Sequence, residues 1–514
     1  MKKTISIMIG GLLCCAAAAQ VRIPRSAAED TDKVMSEKYW SYWNDDVQKK
    51  IDADIEANRK ADASLKLDGA AKGTKVSVEQ ISHDFIFGAH IFNFNQLGDK
   101  SINAKYRSLF GSLFNSATIP FYWDKFELEP GRPRFCSEYW DLEEYWNGVK
   151  DPKMQIHWRR PPTDDIVKFC KQQNIRIHGH PLAWGNRQWQ VPAWLFEACT
   201  TPQERQKLDT LIEKYPERSV KNKAEKYTKK YGEMTPKQIA EYIPEFTERL
   251  NKAYVERIQQ ICRRYADLVD SWDVTNESST DFGKGVLIPG DKICKSHYGI
   301  MPGDYPWLAF QAAQKILPQK ARLNLNDYNN KYTAAEAKDL IKRGCKVDII
   351  GSQMHLFKPK STLDIAAGAE LRTPDEVEKT MKGLDIGLPI HLSEITITAP
   401  DTTQKGRMMQ AIILRNLYRK WFSIKPMMGI TWWNVVDDCG APGEPSMSGL
   451  FTRGMNPKPA FFALDGLINK EWKTILDTEA DDQGKINFRG FRGKYRISWT
   501  DKDGNERSLV YHLK

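Results

Sequence analysis

Residues 268–277 read Leu-Val-Asp-Ser-Trp-Asp-Val-Thr-Asn-Glu, an apolar, strand-like run that closes on a carboxylate. Strand interiors disfavour Glu, and a buried carboxylate is costly unless it is paired or used. A second run of the same build, residues 388–397, reads Leu-Pro-Ile-His-Leu-Ser-Glu-Ile-Thr-Ile and carries Glu394. Working outward, runs of this kind recur at Phe85 to Ile91, Ser116 to Tyr122, Ile175 to Ala183, Val269 to Asn276, Arg322 to Asp327, Ile349 to His355, Ile390 to Thr396 and Met428 to Val435. Helical patterns separate them, among them Asp165 to Gln173, Val255 to Tyr265, Trp307 to Ile316, Ala334 to Arg343 and Arg407 to Trp421. Eight such alternations predict an α/β chain folded as a (β/α)8 TIM barrel. An open doubly wound sheet would want a Gly-rich phosphate-binding turn, and the sequence has none.

Polar residues gather at the C-terminal ends of these runs: His180, Asn276 and Glu277, Asn326 and Asp327, Gln353 and His355, Glu394, and Trp433. Barrels of this kind carry their active sites at that end. Two strand-borne carboxylates facing one sugar are what glycosidic bond cleavage needs, so Glu277 and Glu394 point to a retaining glycoside hydrolase. Two carboxylates suffice for that chemistry, so no metal or organic cofactor is expected. The alternative is a pair of structural salt bridges.

Four segments are expected. Residues 1–20 form a signal peptide, with Lys2 and Lys3, an apolar run and an A-x-A site at Ala17-Ala18-Ala19. Gly11-Leu12-Leu13 lacks the small residue usual before a lipidated cysteine, which argues against anchoring at Cys14 or Cys15. Residues 21–80 form an N-terminal extension, with a helix over 36–66 and a strand over Thr74 to Gln80. Residues 81–470 form the barrel. Residues 471–514 form a small β extension, with strands at Lys485 to Phe488, Gly493 to Trp499 and Arg507 to His512 and a turn over Asp501 to Asn505. Stretches 200–245 and 278–304 exceed ordinary loop length, and the second, directly after Glu277, is read as cleft wall.

The chain has 514 residues, 41% hydrophobic and 28% charged, the balance of a soluble globular protein. Sixteen tryptophans suit sugar stacking as well as core packing. The net charge of +10 is spread through helical segments and comes with no nucleic-acid motif. It suits an acidic polysaccharide, although a basic surface without preference is the simpler account. Seven scattered cysteines follow the signal and contain no C-x-x-C pair; Cys170, Cys262 and Cys345 read as buried thiols, and Cys294 could pair with another loop cysteine. No second apolar span follows the signal, so the mature protein is expected to be soluble and exported, secreted or periplasmic; a monomer is expected.

Seven motifs in order resemble glycoside hydrolase family ten, the endo-β-1,4-xylanase family, over roughly residues 80–465. They are His178-Gly179-His180-Pro181-Leu182-Ala183-Trp184, Trp272-Asp273-Val274-Thr275-Asn276-Glu277, Asn326-Asp327-Tyr328-Asn329, Gly351-Ser352-Gln353-Met354-His355-Leu356, Leu392-Ser393-Glu394-Ile395, Gly429-Ile430-Thr431-Trp432-Trp433 and Pro457-Lys458-Pro459-Ala460. The tail Phe488 to Tyr495 is similar to an extension of plant-type members. The resemblance implies a secreted endo-β-glycanase acting on β-1,4-xylan or a related polysaccharide. Glu277 is then the acid/base and Glu394 the nucleophile. It implies that Asn276 bonds the 2-hydroxyl of the cleaved sugar and His180 a neighbouring hydroxyl. Gln353 and His355 join the network around the carboxylates, and Trp184 and Trp433 line the cleft.

The chain also departs from that pattern. The family's Glu-Asn-x-x-Lys-Trp becomes Thr118-Ile119-Pro120-Phe121-Tyr122-Trp123, which removes residues that grip the next sugar. Its Asp two places after the nucleophile becomes Thr396, the His after Trp184 becomes Gly185, and a nearby Gln becomes Arg187. These changes favour a decorated or acidic chain that Arg187 could contact. The other readings are a β-glycanase on a different polysaccharide and a non-catalytic carbohydrate-binding relative. His83, His90, His157, His297, His391 and His512 read as ordinary core or surface residues, with His391 facing outward by its parity against Glu394.

Overall fold

The computed structural model describes residues 21–185, 191–213, 226–282, 287–296 and 299–514. The expected signal peptide, Arg187 and His297 lie outside the described residues. Eight parallel strands close into a barrel: Ile86–His90, Ser116–Pro120, Arg176–His180, Ser271–Asn276, Arg322–Asp327, Ile349–Gln353, Ile390–Ile395 and Met427–Trp432. Strand eight pairs with strand one through Gly429 and Ile86, and strand four with strand five through Ser271 and Arg322, so no edge is left open. All eight expected strands are present, with ends within a few residues of the sequence reading. Their near-continuous burial follows from a sheet covered on both faces.

Helices pack outside the barrel, and capping residues fix where several begin. Thr403 accepts from the Gly406 N–H and opens Gln404–Ser423. Every side chain of that helix from Gln410 to Ser423 is buried, because it lies under the N-terminal extension as well as against the barrel. Asn416 donates to the Tyr39 hydroxyl at 2.8 Å, and Arg59 donates to the carbonyls of Phe422 and Ile424.

The helix expected over 36–66 is corrected. It is two helices, Glu37–Tyr42 and Asp45–Arg59, followed by a strand at Lys60–Lys66. Asn44 interrupts the pattern, its side chain accepting from the N–H groups of Asp46 and Val47 as an N-cap. The last seven residues alternate in burial and pair antiparallel with Lys485–Phe491. Tertiary pairing thus overrides a sequence rich in Ala and Lys that suits a helix equally well.

Below the barrel, Ile475–Glu479, Lys75–His83, Gly493–Thr500 and Glu506–Leu513 form a four-stranded antiparallel sheet in that order. Val76, Val78, Tyr495, Ile497 and Trp499 make its own small core. Trp472 joins tail to barrel, its ring stacked 5.6 Å from Phe87 and 4.1 Å from Phe422. Among the described residues the seven cysteines after the signal form no disulfide, and Cys294 is buried. Among the described residues no helix is long and apolar enough to cross a membrane.

Candidate active site

Strand four ends at Asn276, and Glu277 stands one residue beyond it with φ of 59°. A left-handed backbone at a non-glycine residue costs roughly 1–3 kcal/mol and persists only where its surroundings hold it. Here the Glu277 N–H donates to the Asn326 carbonyl at 2.8 Å. Its carboxylate accepts from Trp184 Nε1 at 3.2 Å and from Gln353 Nε2 at 3.4 Å. Trp184 is placed by a short bridge in which it pairs with Asn276 across from strand four.

Glu394 projects from strand seven and is 5% exposed. Asn326 Nδ2 donates to its Oε1 at 2.8 Å, and His355 Nε2 lies 3.1 Å from its Oε2. The same Asn326 amide reaches Asn276 Oδ1 at 2.8 Å, and Gln353 Nε2 reaches that oxygen at 3.1 Å. Glu277 and Glu394 are thereby linked through Asn276, Asn326 and Gln353. Asn276 Oδ1 is spent on this network, which leaves Nδ2 as the side-chain atom with hydrogens to donate.

His180, nearly fully buried, sits 2.7 Å from Asp273 through Nδ1, 3.0 Å from the Tyr122 hydroxyl through Nε2, and 3.8 Å from Glu394. Burial works to raise the Asp273 pKa, but the charges and hydrogen bonds of His178 and His180 together outweigh it and hold the carboxyl well below its ordinary range. Trp433, 4% exposed, meets His180, Phe92 and His355 edge-on at 5.3, 5.3 and 6.1 Å. All eight site residues named from sequence therefore surround one mouth: Glu277, Glu394, His180, Trp184, Asn276, Gln353, His355 and Trp433.

Three departures have a structural account. Thr396 Oγ1 lies 3.0 Å from His355 Nδ1, so a hydroxyl stands where the family pattern has an aspartate. Tyr122 fills the place of the lysine and turns its hydroxyl to His180. A side chain begun at Gly185 would meet Ser296 and Met301 at 3.2 Å, so the hairpin of Ile293–Ser296 with Gly299–Pro302 leaves no room for a ring there. That hairpin lies in the stretch read as cleft wall.

Sequence reasoning misses other residues. Asn326 reads as a strand-end amide, and nothing local marks it as the bridge between the carboxylates. Its Oδ1 accepts from Ser393, which leaves its amide hydrogens for Glu394 and Asn276. His391 is corrected: it is buried inside the barrel, 2.8 Å from Thr431 Oγ1 and 5.5 Å ring to ring from His178. Register shifts on both sides of strand seven spoil simple parity, so His391 and Glu394 both point inward at different heights. Arg159 and Arg160, in the loop after strand two, also reach the site and carry no periodic signal.

The sequence model described as Glycosyl hydrolase family 10 matches residues 141–242 and 231–466, well over half of the chain. The chain belongs to glycosyl hydrolase family 10. Among curated relatives of this family-10 chain, Endo-1,4-beta-xylanase C of Paenibacillus barcinonensis is 23% identical over 369 residues, 66% of this chain and 29% of that protein. Endo-1,4-beta-xylanase A of Halalkalibacterium halodurans is 25% identical over 280 residues, 52% of this chain and 59% of that protein. The chain thus spans between about a third and three-fifths of the length of these relatives. The crystal structure of native xylanase 10B from Thermotoga maritima superposes with a TM-score of 0.49 at 20% identity, covering 76% of this chain and 96% of that one.

Proposed function

We propose that this family-10 chain hydrolyses the β-1,4-linked backbone of xylan or a related plant polysaccharide, endo-fashion and with retention. The observation that carries the reading is the pair Glu277, just past the end of strand four, and Glu394, on strand seven, joined through Asn276, Asn326 and Gln353. Retaining enzymes hold such carboxyl groups about 5 Å apart.

In this reading Glu394 attacks the anomeric carbon. Its two oxygens are oriented by Asn326 and His355, so the attacking lone pair is aimed without reorganisation. Glu277 protonates the departing oxygen, and the glycosyl ester on Glu394 forms as that bond breaks. Glu277, now a carboxylate, takes a proton from the incoming water, which releases the sugar and restores both groups. Asn276 Nδ2 bonds the 2-hydroxyl, and Trp184 and Trp433 supply apolar faces. Residues 1–20 direct the chain out of the cytoplasm, to the periplasm or the medium, where it acts as a monomer on a polymeric substrate.

The test is a polysaccharide panel with product-size analysis and anomeric configuration followed by NMR, run beside Glu277→Ala and Glu394→Ala. Backbone cleavage to short oligosaccharides with the β-anomer formed first supports the reading. Either variant should lose several orders of magnitude in turnover. An α-anomer as first product, or turnover undiminished in Glu394→Ala, refutes the mechanism. A second reading, a decorated or acidic chain as the natural substrate, is favoured by Tyr122 and by the arginines behind it.

A further inference from the structure

The direction of the bound chain follows from the assignment of Glu277 as acid, and any subsite placed on one side of the scissile bond rests on that reading. The leaving group must lie toward Glu277, so the ends of strands eight, one and two face the glycone side. Phe92, Tyr122 and Trp433 cluster there. Behind them the Arg160 guanidinium lies 3.6 Å from the centre of the Tyr122 ring and 5.5 Å from that of Phe92. Tyr122 in turn holds His180, beside the nucleophile.

Among the described residues, no carboxylate pairs with Arg160. Its Nη1 donates to the Arg159 carbonyl at 2.9 Å, and its Nε is buried with no acceptor. The acids nearby are engaged elsewhere: Glu444 accepts from Asn434 and the Ala441 N–H and lies 3.5 Å from Arg159, while Asp124 is 2.7 Å from Lys125. Burial lowers the Arg160 pKa to about 10, with the neighbouring Arg159 adding to the effect, so it remains charged at neutral pH. A half-buried guanidinium stacked on an aromatic ring, with donors to spare, is suited to a planar carboxylate.

We propose that this corner is a subsite for a sugar carboxylate. Arg160, steadied on the Tyr122 ring, binds the carboxylate of a uronic acid carried on the glycone side of the scissile bond. Arg159, held by Glu444 and by His90 Nε2 at 3.1 Å, adds to the positive field. The competing account is that Arg160 only braces Tyr122 and thereby His180. A brace would affect charged and neutral substrates alike, whereas a carboxylate subsite would not.

The experiment uses the full chain and two probes: xylo-oligosaccharides bearing a glucuronic acid branch, and the same oligosaccharides after reduction of the carboxyl to an alcohol. The readout is the ratio of kcat/KM for acid over reduced probe. The expected ratio is about tenfold in the unmodified protein, falling toward one in Arg160→Met and partly kept in Arg160→Lys. A ratio near one in the unmodified protein, or the same ratio in Arg160→Met, overturns the proposal. Titration of both probes into Glu277→Gln, with and without Arg160→Met, reads binding alone. Failure to cleave either probe would therefore refute the xylan reading, while tighter binding of the acid probe, lost with Arg160, would still support the subsite. Equal binding of the two probes overturns it.

Discussion

Replacing Thr396 with Val tests how the nucleophile is oriented. Glu394 as a carboxylate can only accept, so a neutral His355 must present Nε2–H to it across 3.1 Å. Nδ1 is then an acceptor, and the Thr396 hydroxyl at 3.0 Å supplies its hydrogen. Thr396 is fully buried, and Val keeps its shape while deleting the hydroxyl. The His355 side chain is only 11% exposed, so water replaces that donor poorly. An unsatisfied buried acceptor costs about 1–3 kcal/mol. If about 1.4 kcal/mol of this falls on the transition state, kcat/KM drops roughly tenfold. Thr396→Ser restores the donor and should return to within about threefold of the unmodified protein. Steady-state kinetics on an aryl β-xylobioside, with melting curves as a folding control, decide the matter. A Thr396→Val variant within twofold of the unmodified protein, or a Ser variant as damaged as Val, would refute the reasoning.

Acidification should destabilise the fold before its carboxylates titrate. Burial pushes His391 down to about 3 and His90 well below its ordinary value, so the unfolded chain binds more protons below about pH 6.5. Stability is then full above that pH and falls as the pH drops toward the folded value, by about 2 kcal/mol between pH 7 and pH 5 for His391 alone, with His90 adding in the same direction, which urea titrations at both pH values would show or exclude. Gly179→Ala should place a methyl 2.3 Å from the Trp272 ring, a clash worth about 1–3 kcal/mol or more that calorimetry would register as a lower Tm. Tyr495→Ala removes a fully buried ring and a 2.6 Å bond to the Phe491 carbonyl, for a loss of about 3–5 kcal/mol in denaturant titration. A near-neutral result there would mean that the tail sheet is loosely attached.

The barrel is legible in the sequence because its strands, buried on both faces, read as short apolar runs, several of which end in a polar residue. Arg322–Asp327 is bounded to the residue for that reason. The two glutamates are legible because a carboxylate ending an apolar strand must be paired or put to chemical use. What escapes the sequence is relational. Asn326 looks like any strand-end amide until the closed barrel brings it between Asn276 and Glu394. Arg159 and Arg160 sit in an irregular loop whose path only tertiary packing fixes. Parity misplaces His391 because it assumes an unbroken register, which strand seven lacks. Helical spacing misplaces Lys60–Lys66 because the partner strand lies at the other end of the chain.

That last pairing has a consequence for how the molecule is made. Lys75–His83 precedes the first barrel strand, yet it is flanked by Ile475–Glu479 and Gly493–Thr500, which are synthesised after all eight barrel strands. Lys60–Lys66 waits in the same way for Lys485–Phe491. Two strands ahead of the barrel therefore stay unpaired until the ribosome has passed the eighth barrel strand. Closing so long a loop costs entropy that only the assembled barrel can offset, by holding the two ends close together. The sheet below the barrel is thus a late-folding clasp, and a nascent chain released before Ile475 would leave Lys60–Lys66 and Lys75–His83 exposed to pairing with other chains.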